Sequence, residues 1–171
     1  MRSDARLELR DAPLADAPAI GMTTVAAWRG AYAGLMNAAY LASLCEKQQG
    51  ELWGVGFERD PRVIVTALDD DTAVGFARWG ESQDADAAPG VGELREIFLH
   101  PSAWRRGAGS LLMDEALPRL RAAASREATL WVVHGNARAR AFYEARGYEE
   151  RHDRFRSGAA VHVVRYRREI A

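Results

Sequence analysis

The sequence predicts a mixed α/β protein, one central sheet of about seven mostly antiparallel strands flanked by helices. Three observations predict it. Strand-like runs alternate with helical stretches in the order strand, helices, three strands, helix, strand, helix, two strands. The run from Glu93 to Leu99 enters a Pro, two arginines and a Gly-Ala-Gly turn, which opens a helical SLLMDEAL pattern. No repeat, low-complexity tract or linker divides the 171 residues, so a single domain over 1–171 is expected.

Each element has its own signal. Leu7 and Leu9 alternate with charged residues, a short first strand. Asp16 to Trp28 is helical, with Ile20, Val25 and Trp28 as its apolar positions, and a second helical stretch covers about Asn37 to Cys45. The β-branched run Arg62–Leu68 and the run Val74–Glu81 form a hairpin joined by Asp69, Asp70 and Asp71, a solvated turn. Residues 82–90 are small, acidic and aperiodic, so a mobile loop is expected there. The central strand runs from about Glu93 to Leu99, and the next helix starts near Gly107. Pro118 removes a backbone donor inside that helix and predicts a kink or an early end. A strand at Thr129–Val133, a short helix at Ala137–Ala145 stopped by Gly147, and strands at about Tyr148–Phe155 and Ala160–Arg167 complete the chain.

Bulk properties narrow the function. Hydrophobic residues make up 48% and charged residues 27%, ordinary for a globular domain. The net charge of −1 supplies no field that would favour nucleic acid or an anionic membrane as partner. The start is charged, with no apolar core resembling a secretion signal, and no stretch has the length of a membrane span, so a cytoplasmic protein is expected. The single cysteine, Cys45, excludes an internal disulfide and a Cys-rich metal site; its apolar surroundings predict a buried structural thiol. No metal site is expected, and a homodimer is compatible with the chain.

Two motifs carry chemistry. A strand leading into a Gly-rich turn and a helix leaves the first helical N–H groups without internal partners, which makes an anion site, and Arg105 and Arg106 add positive charge there. Downstream, Leu130 to Tyr148 reads LWVVHGNARARAFYEARGY, in which Asn136 is a good helix N-cap and Phe142 and Tyr143 sit on the following helix.

Together these motifs resemble the GNAT superfamily of acetyl-CoA-dependent N-acetyltransferases. The family's Gln/Arg-x-x-Gly-x-Gly/Ala, entered from a strand ending in Val-x-Pro, is similar to Leu99-His100-Pro101 followed by Trp104-Arg105-Arg106-Gly107-Ala108-Gly109. Its Asn-x-x-Ala-x-x-Phe-Tyr-Glu-x-x-Gly-Phe/Tyr is similar to the segment from Asn136 through Ala139, Phe142, Tyr143, Glu144 and Gly147 to Tyr148. The resemblance is strongest over residues 92–155 and implies the GNAT fold for the whole chain. It implies that Ile97, Phe98 and Leu99 run along the pantetheine arm of acetyl-CoA like an added strand. Arg105, Arg106, Gly107, Ala108, Gly109 and Ser110 would wrap the pyrophosphate, with glycines where a Cβ would hold the phosphate off. Asn136 would bond the pantetheine arm, and Tyr143 would protonate the departing thiolate. Trp104 stands where the family has Gln or Arg, which puts one polar contact in question, although a Pro-x-x-Trp-x-Arg-Gly-x-Gly variant occurs among similar sequences.

Acetyl transfer to an amine needs a base. Glu93 occupies the strand position where several such enzymes place a catalytic glutamate. Glu96 lies three residues on and faces the opposite side by simple alternation, unless a bulge re-aims the strand. His134 is a third candidate. Trp28, Tyr32, Leu35 and Met36 correspond to segments that cover the acceptor site in the family, and Asp84 and Asp86 could attract a cationic amine. The expected activity is direct transfer of an acetyl group to a primary amine of a small molecule or peptide; the alternative is a non-catalytic acyl-CoA-binding sensor or regulatory module.

Overall fold

In a computed structural model, residues 7–67, 71–156 and 161–170 are described. Seven strands form one sheet in the order β1-β2-β3-β4-β5-β7-β6. They are β1 (Glu8–Asp11), β2 (Val63–Ala67), β3 (Ala73–Glu81), β4 (Val91–Leu99), β5 (Glu127–Val133), β6 (Glu149–Arg156) and β7 (Val161–Glu169). Every pairing is antiparallel except β4 with β5, which is parallel. The helices are α1 (Ala17–Ala31), α2 (Ala38–Ser43), α3 (Glu46–Arg59), α4 (Ala108–Ala122) and α5 (Ala137–Glu144). The mixed α/β architecture is as the alternating patterns require. The β2–β3 pairing is present, but residues 68–70 of the expected acidic turn lie outside the described residues.

The sheet has a core on each face. Leu112, Met113, Ala116 and Leu120 of α4 bury against Leu94 and Leu130, with Tyr143, Tyr148 and Tyr166 filling the space under α5. On the other face Ile20 of α1 and Trp53 and Phe57 of α3 pack on Val65 and Phe76. Because alternate residues of a strand point to opposite faces, β5 sends Leu130 and Val132 to the α4 side and Trp131 to the α1 side.

One irregularity positions everything that follows. The β3–β4 register pairs Trp79 with Leu94 and Arg78 with Glu96, so Arg95 is an extra residue without a partner, a β-bulge. Pairing between β4 and β5 covers only Val91–Glu93 against Glu127–Thr129 and stops just before the bulge. Beyond that point the two strands part. The bulge also cancels the expected alternation: Glu93 and Glu96 lie on the same face of the sheet, shared with Phe98, while Leu94, Ile97 and Leu99 pack toward α4.

Three expectations need correction, and one helix was not anticipated. Helix α3 has no counterpart in the sequence reading. Gly50 is where α3 crosses α1: a Cβ on Gly21 would stand 2.4 Å from the Gly50 nitrogen. Cys45 is exposed, because it is the N-cap of α3 and not part of an apolar stripe. Of the kink or early end expected at Pro118, the early end does not occur: α4 continues to Ala122, with Leu117 and Leu120 buried in its last turns. The loop 82–90 is pinned: Arg165 binds Asp86 at 2.8 and 3.1 Å, and Asp84 accepts from Trp131 Nε1 at 3.0 Å. Among the described residues no helix is long and apolar enough to cross a membrane.

Candidate active site

The opening between β4 and β5 holds a cavity of about 330 Å³. Leu94, Ile97, Phe98 and Leu99 line one side, Trp131, Val132 and Asn136 the other, and the turn after β4 closes one end. His100 N donates to Val74 O at 2.9 Å across the β3–β4 ladder. In an antiparallel ladder, main-chain groups alternate between the two edges. Phe98 therefore spends its N–H and C=O on β3, whereas those of Ile97 and Leu99 point into the opening. The Leu99 carbonyl accepts from Trp104 Nε1 at 3.0 Å, so the groups left open on this inner strand edge are the N–H and C=O of Ile97 and the N–H of Leu99, suited to a ligand with amides of its own.

The Gly turn follows from its backbone. Arg105 has φ +60 and Gly107 φ +87, both left-handed, and both residues line the end of the cavity together with Ala108, Gly109 and Ser110. Gly107 is the N-cap of α4, with no side-chain cap, and Leu111 N is the first amide to bond back to it, at 3.1 Å. The amides of Ala108, Gly109 and Ser110 thus have no partner in their own helix. A Cβ on Gly109 would meet Leu99 and Phe142 at 3.4 Å. Ser110 Oγ accepts from Arg146, whose guanidinium lies 3.8 Å over the Phe142 ring. Arg105 lines the cavity; Arg106 is exposed and does not. These unpartnered amides with flanking arginines fit a phosphate ester.

Asn136 caps α5 by accepting from Ala139 N at 3.2 Å and also faces the cavity. Gly147, φ +76, ends α5 as expected, with Gly147 N on Glu144 O and Tyr148 N on Tyr143 O. Tyr143 lines the cavity with its ring buried against Phe142 and Tyr148. Burial raises its phenol well above the ordinary value, and the nearby Tyr32 and Tyr148 hydroxyls add to the shift, so it stays protonated.

A second cleft, about 610 Å³, opens on the α1/α3 face. Tyr32, Arg95, Phe98 and Trp131 line both spaces, so they meet at a shared wall. Burial pushes the Tyr32 phenol up to about 12. Trp28 and Met36 line this second cleft, as the early helical region suggests; Leu35 instead lies over Gly135.

The three base candidates separate. Glu96 lines the second cleft, held by Arg78 at 2.7 and 3.1 Å. Burial lifts its carboxyl above the ordinary range against the pull of Arg78 and Arg95, and Glu93 pushes the same way as burial. Glu93 is buried, accepts from Gln83 N at 3.0 Å and lines neither space. His134 is exposed and stacks on His162 with ring centroids 4.9 Å apart. Asp84 and Asp86 are bound to Arg165 and Trp131.

Sequence reasoning missed Arg138, Trp131 and Arg95 at the site. Arg138, two residues after Asn136, carried a signal in that spacing; it lines the first cavity and lies 3.6 Å from the centre of the Trp104 ring. Arg95 carried none, because only the bulge places it.

Comparison with known proteins agrees with this fold. Residues 24–148 match the model of the acetyltransferase (GNAT) family. A mycothiol acetyltransferase of Beutenbergia cavernae is 36% identical over 102 residues, 59% of this chain and 31% of that protein; the chain thus spans about a third of that relative. PaiA N-acetyltransferase of Thermoplasma acidophilum, solved with coenzyme A, superposes with a TM-score of 0.72 at 18% identity, covering 94% of this chain and 98% of that one. YncA of Salmonella typhimurium, solved with acetyl-CoA, gives 0.73 at 16% identity, covering 97% and 95%. At these identities the likeness of the solved structures is one of fold.

Proposed function

We propose, because the chain belongs to the acetyltransferase (GNAT) family, that it moves an acetyl group from acetyl-CoA directly to a primary amine, as a single-domain cytoplasmic enzyme. The observation that carries this reading is the open strand edge of Ile97 and Leu99 running into the unpartnered amides of Ala108 to Ser110.

Acetyl-CoA supplies an acetyl group already activated as a thioester. Ile97, through its outward N–H and C=O, and Leu99, through its N–H, hold the pantetheine amides, with Asn136 opposite. Arg105, Ala108, Gly109 and Ser110 take the pyrophosphate, and Arg106 adds charge from outside the cavity. Phe98 contributes its ring to the shared wall. The N–H groups on the open edge of β4 are placed to receive negative charge that develops during transfer.

The amine gives up its proton toward the face that carries Glu93 and Glu96. Glu96 is the carboxylate at the cleft, and its raised pKa suits a base; Glu93, buried behind it, tunes it through its charge. As the new C–N bond forms and the C–S bond breaks, Tyr143 Oη holds the proton that the sulfur takes up. Its burial makes it a weak acid, but a thiolate formed in the same buried space binds a proton more tightly as well.

Isothermal titration tests the donor site: acetyl-CoA should bind the native protein, and Gly107→Val should weaken it, because a β-branched residue is strained at φ +87. No binding to the native protein would end this reading. Tight binding with no acetylation in a mass-spectrometric screen of peptides and small amines would identify a sensor module instead.

A further inference from the structure

The second cleft has a composition that selects its occupant. Its walls are aromatic and aliphatic: Trp28, Tyr40, Trp53, Phe98 and Trp131, with the exposed Leu52 at the rim. Among its described lining residues the charged groups are Arg78, Arg95 and Glu96. Glu96 is bound by Arg78, and Arg95 Nη1 is bound by Asp60 at 2.7 Å. Among the described residues the cleft therefore has no surplus carboxylate, and a molecule that buried several ammonium groups there would leave them uncompensated by these groups.

It has surplus donors instead. Trp28 Nε1 and Arg95 Nε are buried and have no hydrogen-bond partner among the described residues. Native proteins seldom leave such groups unpaired, so each calls for an acceptor. Trp28 cannot turn away to find one, since its ring packs on Tyr32 at 5.4 Å, Phe98 at 6.1 Å and Tyr40 at 6.5 Å.

We infer that the acceptor is a monoamine with a bulky apolar body bearing a carbonyl oxygen, and that Trp28 Nε1 donates to that oxygen. Polyamines and aminoglycosides are excluded by the same surfaces. This rests on reading the adjoining cavity as the acetyl-CoA site.

The test is isothermal titration of the CoA-loaded protein with phenylalaninamide, phenethylamine, spermidine and kanamycin. Phenylalaninamide should bind at least about tenfold tighter than spermidine or kanamycin, which must bury unpaired charge. Trp28→Phe keeps a ring and removes the donor; it should weaken phenylalaninamide by roughly 3- to 10-fold and leave phenethylamine, which lacks the carbonyl, within about twofold. Tighter binding of spermidine or kanamycin, no binding of any of the four amines, or equal weakening of both aromatic amines by Trp28→Phe would overturn the inference. The ranking on the native protein needs no variant. Failure of the native protein to bind CoA would instead overturn the donor-site reading, and this inference with it, so the two failures are told apart at the loading step.

Discussion

Trp104 Nε1 donates a 3.0 Å hydrogen bond to the Leu99 carbonyl, tying the Gly turn to the end of β4. The indole is held from both sides. Arg138 lies over its ring, and Gly30 of α1 comes so close that a Cβ there would stand 2.7 Å from it. Trp thus replaces the family's polar Gln or Arg with an internal brace that sets where the turn stands relative to the strand. Trp104→Phe keeps the ring and loses the brace. Acetyl-CoA affinity should fall roughly 3- to 10-fold, with kcat nearly unchanged, in titration and steady-state kinetics.

Tyr143→Phe should do the reverse. Removing one oxygen from a buried ring leaves the packing on Phe142 and Tyr148 in place. The turnover number should fall about 100-fold while the acetyl-CoA dissociation constant stays within about threefold. Unchanged turnover would remove the proposed acid.

If Glu96 is the base, as proposed, it sets the acid limb of the rate profile. The base must be ionised, so activity rises as pH climbs through its raised pKa. Glu96→Gln should abolish that limb and lower kcat/KM by about 100-fold. Glu93→Gln removes a charge that helps raise Glu96, so the limb should move to lower pH. An unmoved limb in Glu93→Gln would separate the two carboxylates.

Asp60 makes a separate prediction about stability. Its hydrogen bond from Arg62, with Arg95 adding a second, lowers its carboxyl from the ordinary 3.8 to about 2. A lowered carboxylate pKa stabilises the fold above the unfolded value, and that contribution is lost as pH falls through the folded one. Asp60→Asn should cost about 1–2 kcal/mol at neutral pH, discounted because Arg62 is half exposed. Between pH 4 and pH 2 the variant should lose less stability than the native protein, as urea denaturation at several pH values would show.

The turn and caps of the half proposed to hold the donor were legible because they are built from backbone. The positive φ of residue 107 favours Gly and the cap of α5 favours Asn136, so both leave a recognisable letter in the sequence. The face that carries Glu96, proposed to meet the acceptor, depends on Arg95. One extra residue in β4 reverses which face Glu96 occupies, and no residue type announces such a bulge. Helix α3 was hidden for a related reason. Gly50 reads as a breaker, but it is there because α1 passes within contact of it, a fact of packing that local propensity does not contain.

The parting of β4 and β5 also marks the protein for hydrogen exchange. Phe98 keeps its amide on β3 whether or not a ligand is present, while its neighbours Ile97 and Leu99 have amides that only a ligand can engage. Three consecutive residues of one strand should therefore exchange with deuterium as fast, slow, fast in the free protein. On addition of acetyl-CoA the outer two should slow to the pace of the middle one. A strand that titrates on every second residue would report donor binding without any reaction taking place.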